Sequence, residues 1–571
     1  MSRREGRQEQ NKWWRPQGYR LDGGSLLVTT LAINLLSLAL PIMTLQVYDR
    51  VLPSPDSGTL PVLVAGVLVA VTLEAVLRLT RSYMLGWAGA AYEHRVACGA
   101  MAHILRSDIS ALGRFGVGEN LNRLATIGKL KDFHNGYSLT VLFDLLFVPV
   151  FLAVIIYIAG ALAIVPAGLL MVFTLISLYQ GQRIRKVLKA RNISDDARYD
   201  FMIEGLEGIH TLKSFALENR FARKYEALQA DSSLANYDVA EHTAATFNVG
   251  AVFSNIMIAA VIVAGAVMAL NGMMTTGALI ACILLSGRMM QPIQRALSLW
   301  AKYQDYSLSR DKVDSIFHMP APVFHLLDSQ DTERAGSLSL DNISFRHNDG
   351  GPFLFRNAGL HLRKGDCAVL SSAHGAGKTT LLEIMSGLFP VTSGEVVLDG
   401  KNILHYPPES LIDHIGYIQT EGIIFRGTIR ENLTCFGLIE EKKVREMAAL
   451  LKIDADIARL PAGLDTFLQG NATDNVTPGL KQRIALVRVL APKPRVILFD
   501  DADRALDRKG YDLVYQLLAR LVDKTAMIIV SDDYNLCSLA NRAVMIEGQN
   551  LVEIPPPSVL RSHLTHQGAY Q

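Results

Sequence analysis

Ser372-Ala-His-Gly-Ala-Gly-Lys-Thr-Thr380 reads as a phosphate-binding loop. It follows a short apolar run, Asp366–Leu370, and its lysine opens a helical pattern, the context such a loop needs. Gly375 and Gly377, with the small Ala376 between them, let backbone N–H groups converge on phosphate oxygens, and a helix N-terminus adds positive potential. Lys378 is placed to reach β- and γ-phosphates, and Thr379, followed by Thr380, to hold Mg2+ through its hydroxyl. The strict pattern has glycine six residues before the lysine. Ser372 stands there instead, small enough to weaken the loop rather than abolish it.

Further along, Val496-Ile-Leu-Phe-Asp-Asp501 is an apolar strand ending in two carboxylates. Asp500 suits Mg2+, directly or through water. The next position would hold the general base or orient the attacking water. Glutamate is expected there, and Asp501 falls about 1 Å short, a misplacement that costs on the order of 100-fold. Around this pair, β-like runs alternate with helices from about Gly336: Leu338–Phe345, Asp366–Leu370, Glu395–Leu398, Ile415–Ile418, Val496–Phe499 and Ala526–Val530. That pattern is an α/β domain with a mostly parallel core.

The first half of the chain has a different character. Half of the 571 residues are hydrophobic, and the long apolar runs gather before about residue 300. Six spans are read, at about 24–47, 59–80, 138–159, 160–180, 246–270 and 276–299, each long enough to cross a bilayer. The short loops on one side carry a single basic residue, Arg50, whereas segments 81–137 and 181–245 are rich in Lys and Arg. This asymmetry places the long segments, and with an even span count both termini, in the cytoplasm. The domain reading is then a tail over 1–23, a membrane domain over 24–305, a linker over 306–335 and a nucleotide-binding domain over 336–571. The tail is polar and basic, a cytoplasmic tether whose Trp13 and Trp14 suit the headgroup level.

Glu74, Asp144 and Arg288 lie inside spans, either paired with one another to fix helix packing or set along a transport path. Pro292 is expected to kink the sixth span. A net charge of +2 offers no basic field for nucleic acid, and the five cysteines show neither metal spacing nor a secreted disulfide framework.

Lys378, Gln419, Val476-Thr-Pro-Gly-Leu-Lys-Gln-Arg483, Asp500 and Ala505-Leu-Asp507, behind six spans, resemble an ABC exporter half-transporter. Gln46-Val-Tyr-Asp-Arg-Val-Leu52, Leu79-Thr-Arg-Ser-Tyr83, Gly277-Ala-Leu-Ile-Ala281 and Ser286-Gly-Arg288 are similar to the type I protein secretion branch. The resemblance covers about residues 24–560. It implies a six-helix all-α transmembrane domain fused to a cytosolic α/β P-loop ATP-binding cassette. The cofactors would be ATP and Mg2+, and the location the bacterial inner membrane. The implied partners are a second half-transporter, a periplasmic adaptor, an outer-membrane channel and a secreted protein substrate. No peptidase-like domain precedes the first span in this sequence.

Position by position, the resemblance implies that His347, in Ser344-Phe-Arg-His347, stacks on adenine in place of tyrosine. Gln419 would sense Mg2+ and water. Turns near 108–118 and 204–218 would couple the two domains. Four departures concern the γ-phosphate. Val476-Thr-Pro-Gly-Leu480 replaces Leu-Ser-Gly-Gly-Gln: Thr477 keeps the hydroxyl and Gly479 its N–H, but Pro478 removes a donor. Leu480 replaces the glutamine, Asp501 the glutamate, and Asp532 the switch histidine. Two readings follow. In one, the chain is the degenerate half of a heterodimer, binding ATP while an intact partner supplies most turnover. In the other, it is a slow homodimeric exporter of protein, peptide, lipid or small molecule.

Overall fold

The computed structural model describes residues 23–53, 58–114, 116–134, 136–321, 336–348, 350–470 and 476–555. Trp13, Trp14 and most of the expected linker lie outside them. The chain divides into two compact units, residues 1–106 with 112–319, and residues 107–111 with 320–571.

The first unit is helical. Its main helices are α1 (Gly23–Leu36), α2 (Ala39–Gln46), α3 (Thr59–Arg106), α4 (Tyr137–Ala159), α5 (Ile164–Glu207), α6 (Glu218–Leu270) and α7 (Thr276–Phe317). Among the described residues, five helical runs are long and apolar enough to cross a membrane, one of them reaching from Tyr137 to Glu207. That run holds two expected spans, and Gly160 at φ 53° breaks it through a 3-10 turn over Gly160–Ala163. The first expected span is likewise broken, at Ser37–Leu38. Pro41 lies four residues after Ser37 and cannot donate to its carbonyl, so α1 ends and α2 restarts. Pro292 sits inside α7, which continues through it to Phe317.

Phe151, Ile155, Phe173, Met257, Val261, Leu285 and Met289, from α4 to α7, form the packed centre of this unit. Outward-facing Val62, Leu68, Val69 and Leu79 leave α3 with an apolar exposed face, as lipid contact requires. The pairing expected among Glu74, Asp144 and Arg288 is replaced by other partners. Asp144 accepts from Arg295 Nη1 at 2.8 Å and Asn34 Nδ2 at 3.0 Å. Glu74 takes Arg78 one helical turn on, at 2.6 Å. Helix periodicity favours that i,i+4 neighbour over a residue on a distant helix.

The motif Gln46–Leu52 also acquires a structural meaning. It forms a π-helical turn at Val47–Val51. Asp49 Oδ2 accepts from Thr275 Oγ1 at 2.6 Å, and Oδ1 from the Gly277 N–H at 3.0 Å. Thr275 in turn caps α7 by accepting from the Ala278 N–H at 3.1 Å. Asp49 thus satisfies a helix N-terminus and complements its dipole. Gly277 is required by close approach: a Cβ there would lie 2.5 Å from Asp49 Oδ1 and 2.8 Å from the Leu45 carbonyl.

The second unit is α/β. Its strands are β1 (Leu338–Phe345), β2 (Phe355–Leu362), β3 (Cys367–Ser371), β4 (Ser393–Leu398), β5 (Lys401–Asn402), β6 (Ile415–Ile418), β7 (Gly427–Thr428), β8 (Phe467–Leu468), β9 (Val496–Asp500), β10 (Ala526–Val530), β11 (Arg542–Glu547) and β12 (Asn550–Ile554). A six-stranded sheet has the order β12-β11-β3-β10-β9-β6, parallel from β11 to β6. A separate antiparallel sheet has the order β2-β1-β4-β5.

Alternation along the central strands feeds two cores. Helices α8 (Lys378–Met385), α9 (Pro478–Leu490) and α10 (Arg508–Leu521) flank the central strands, and Val369, Ile497, Phe499, Met527 and Ile529 pack on one side with α9. Ala368, Leu370, Val496, Leu498 and Ile528 pack on the other with Leu381 and Leu382 of α8. Both faces are covered, which is why these strands read as unbroken apolar runs.

Candidate nucleotide site

The strand alternation fixes the first element of the site. Phe499 points to the α9 side, so Asp500, one residue on, turns toward α8. There it is 2% exposed, accepting from Thr379 Oγ1 at 3.3 Å and from Tyr417 Oη at 3.2 Å. Thr420 Oγ1 donates to the Asp500 backbone carbonyl at 3.0 Å. Burial pushes the Asp500 carboxyl above its usual range, and the neighbouring Asp501 adds to this, against the two hydroxyl donors and Lys378. Burial, with Asp500 beside it, likewise raises Glu383 on α8.

A buried carboxylate held next to a threonine hydroxyl fits a hard divalent cation, which would return the carboxyl to its charged form. Among the described residues no three His, Cys, Asp or Glu side chains gather as a metal cage. A Mg2+ there would be held by Asp500 and Thr379, with phosphate and water completing its shell.

The loop between β3 and α8 is built for backbone convergence. Gly377, the residue before α8, has φ 99°, and a Cβ there would meet Leu354 at 2.9 Å. Gly375 has φ 79°. Ser372 is not among the positive-φ residues, so the side chain where glycine is expected brings no backbone strain. Its hydroxyl donates to the Ala373 carbonyl at 2.9 Å. His347 is exposed beside this region and makes edge contacts with Phe345 and Phe389, at ring separations of 5.0 and 5.9 Å.

Thr477 caps α9, its Oγ1 accepting from the Leu480 N–H at 3.3 Å. Pro478 occupies the first helical position, where a missing N–H costs the helix nothing. The donor it removes is one that would otherwise face outward, so the loss falls on a ligand rather than on folding. Gly479 N–H becomes the first backbone donor at that end. Leu480 is buried in the α9-side core and is no surface substitute for glutamine.

Asp501 sits at φ 47°, a left-handed conformation that aspartate tolerates better than most side chains, with its N–H on the Val530 carbonyl at 2.9 Å. Asp532 follows β10. Arg504 joins them: its Nη2 lies 3.2 Å from Asp501 Oδ2 and 2.7 Å from Asp532 Oδ2. Sequence reasoning passed over Arg504, since a lone arginine in a polar turn carries no motif. It also passed over Gln482, whose buried Nε2 donates to the Gln419 carbonyl at 2.9 Å and the Ala502 carbonyl at 3.2 Å. Gln482 therefore ties α9 to Gln419, whose side chain is exposed, and to the turn after Asp501. Asp507 caps α10 through the Gly510 N–H at 3.0 Å, and Ala505-Leu-Asp507 runs beside Gly479.

Residues 25–293 match the family model described as the ABC transporter transmembrane region, and residues 355–504 match the one described as ABC transporter. The chain is 28% identical over 533 residues to the cyclolysin secretion/processing ATP-binding protein of Bordetella pertussis, covering 93% of this chain and 74% of that protein. It is 24% identical to the alpha-hemolysin translocation ATP-binding protein of Escherichia coli O157:H7, over 91% of this chain and 74% of the relative. The leukotoxin translocation ATP-binding protein of Mannheimia haemolytica is also 24% identical, over 92% and 74%. Among solved structures, a bacterial Atm1-family ABC exporter with ATP bound superposes with a TM-score of 0.82 at 16% identity, covering 96% of this chain and 98% of the other.

Proposed function

The chain belongs to the ABC transporters, as an exporter with a transmembrane region and an ATP-binding cassette on one polypeptide, and from that premise we propose that it serves type I secretion as the degenerate half of a heterodimer. Its place would be the bacterial inner membrane, with the cassette and both termini cytoplasmic. A periplasmic adaptor and an outer-membrane channel would continue the path, and the cargo would be an unfolded protein. The names of the relatives, which secrete or translocate cyclolysin, hemolysin and leukotoxin, support the class of cargo.

The observation that carries the heterodimer reading is the division between intact and altered parts. Lys378, Thr379 and Asp500 would form the holding site for Mg2+ and phosphate, a reading supported by the Thr379 hydroxyl lying 3.3 Å from the Asp500 carboxylate. The altered residues Asp501, Asp532 and Pro478 all concern the γ-phosphate, and Arg504 occupies both carboxylates at once. Asp501 as general base must have a free carboxylate aimed at water, and here it is engaged by a cation. In a pair with an intact half-transporter, one ATP site would combine this chain's phosphate loop with a good signature helix. The other would combine the partner's glutamate and histidine with Thr477 and Gly479, and turnover would occur there.

The test is to purify the chain alone and after co-purification from its native host, then measure ATP retention and turnover in both. The expected result is binding without appreciable turnover alone, and turnover only when a second half-transporter is present. Fast turnover by the isolated chain, abolished by Lys378→Ala, would establish the homodimer instead.

A further inference from the structure

Three arginines converge on one cavity in the membrane unit. Arg78 and Arg81 come from α3 and Arg295 from α7, around a space of about 230 Å3 whose wall also carries Ser82, Thr140 and Asp144. The carboxylates do not balance them. Asp144 is buried and engaged by Asn34 at 3.0 Å and Arg295 at 2.8 Å, with Arg81 Nη1 at 3.8 Å. Glu74 gives a single oxygen to both Nε and Nη2 of Arg78, at 2.9 and 2.6 Å. With Glu74 counted, three guanidinium groups meet two carboxylates among the described residues, and one positive charge is left over. Arg288, within electrostatic reach of Glu74, adds another. Surplus charge inside a membrane helix bundle is costly and marks a site that something negative visits.

Three features say what the visitor is. The cavity lies where the apolar part of α3 ends and that of α4 begins, the depth at which hydrocarbon gives way to headgroups. Two of the arginines are reachable, the side chains of Arg78 and Arg295 being 42% and 35% exposed, with Arg81 deeper at 11%. Seven and fourteen residues before Arg78, on the same face of α3, Val71 and Val64 are 52% and 43% exposed, an apolar track leading up to a cationic end. Guanidinium forks match phosphate oxygens, and basic pockets between membrane helices take acidic headgroups. An acyl track joined to a phosphate-sized cationic cup fits a phospholipid better than a polypeptide.

We propose that this cavity binds the phosphate of an anionic phospholipid, a reading that rests on the membrane placement of α3 and α4. Native mass spectrometry of the detergent-purified full chain, titrated with phosphatidylglycerol and with phosphatidylcholine, tests it. The wild type is expected to retain phosphatidylglycerol about fivefold or more over phosphatidylcholine, and Arg78→Gln with Arg295→Gln to erase that preference. Because Arg295 also holds Asp144, Ser82→Asp is the second variant. It removes no ion-pairing residue, places a negative charge on the cavity wall one turn from Arg78, and is expected to lose the preference without a loss of Tm. Inorganic phosphate at millimolar concentration separates the two phosphate sources and is expected to leave the lipid in place. Equal retention of the two lipids by the wild type, an unchanged preference in Ser82→Asp, or displacement of the lipid by inorganic phosphate would overturn the proposal. A fluorophore at position 79, quenched or not by brominated lipid, reports the membrane placement separately. ATP retention in the same sample reports the cassette.

Discussion

The guanidinium of Arg504 donates to Asp532 at 2.7 Å, and the same nitrogen lies 3.2 Å from Asp501. One cation thus bridges, and offsets half the charge of, the two carboxylates standing where a catalytic glutamate and a switch histidine are expected. An anion at position 532 would repel a γ-phosphate, and Arg504 offsets that repulsion. Removing it exposes the repulsion to ATP but not to ADP, which lacks the third phosphate. Arg504→Ala is expected to weaken ATP binding roughly three- to tenfold, about 1 kcal/mol in a water-rich setting, and to leave ADP binding nearly unchanged. Titration with fluorescent analogues of both nucleotides checks this, and equal weakening of the two would exclude the role.

Repair of the altered positions should be cooperative. Asp501→Glu alone still leaves the carboxylate beside Arg504 and the partner signature without the donor at 478. The triple change Asp501→Glu, Asp532→His and Pro478→Gly is expected to raise the turnover of the isolated chain by about 100-fold or more, and each single change by much less, because residues acting as one unit are not additive. Steady-state ATPase rates of the four variants decide it. Additive single effects would count against a common site.

The Asp500 carboxyl gives a pH signature. Burial raises it, so the folded chain holds a proton that the unfolded chain has released. Its contribution to stability is therefore complete below the ordinary aspartate value near 3.9 and is lost as pH rises through the higher folded value. In Mg2+-free buffer, the Tm of the wild type should fall with rising pH relative to that of Asp500→Asn. Mg2+ with ATP should cancel the difference by stabilising the charged form. A Tm gap that ignores both pH and Mg2+ would refute the metal role.

Gly277 offers a steric test. Gly277→Ala puts a methyl 2.5 Å from Asp49 Oδ1, whereas Gly287 on the same helix has nothing within 4 Å of the corresponding point. Gly277→Ala and Asp49→Ala should each lower Tm by a few degrees, the loss of a helix cap being about 1 kcal/mol, while Gly287→Ala should not. Differential scanning fluorimetry in detergent compares the three.

The parts of the site legible from sequence are those where an apolar run stops at a chemical group. β3 leading to Lys378, β9 leading to Asp500 and β10 leading to Asp532 all announce themselves this way. β2 and β12 do not, because Arg356, Asn357, His361 and Glu553 face outward on half-covered strands and dilute the pattern. The break at Ser37 was hidden because its cause, Pro41, acts four residues away. Arg504 and Gln482 went unread for a related reason. Each acts by joining segments that are separated in the chain, and such a link has no local signature. The same holds for Asp144, whose partner Arg295 is 151 residues distant.

Asp49 and α7 have a further implication for motion. Two membrane segments joined by side-chain packing slide only when many small contacts yield together. Here, beside such packing, the ends of two segments are also fastened by one carboxylate and two hydrogen bonds. Letting go of those bonds takes on the order of 3–6 kcal/mol, and water can take up the carboxylate once it is released. Those two bonds fix the register in which the turn after α2 meets the start of α7.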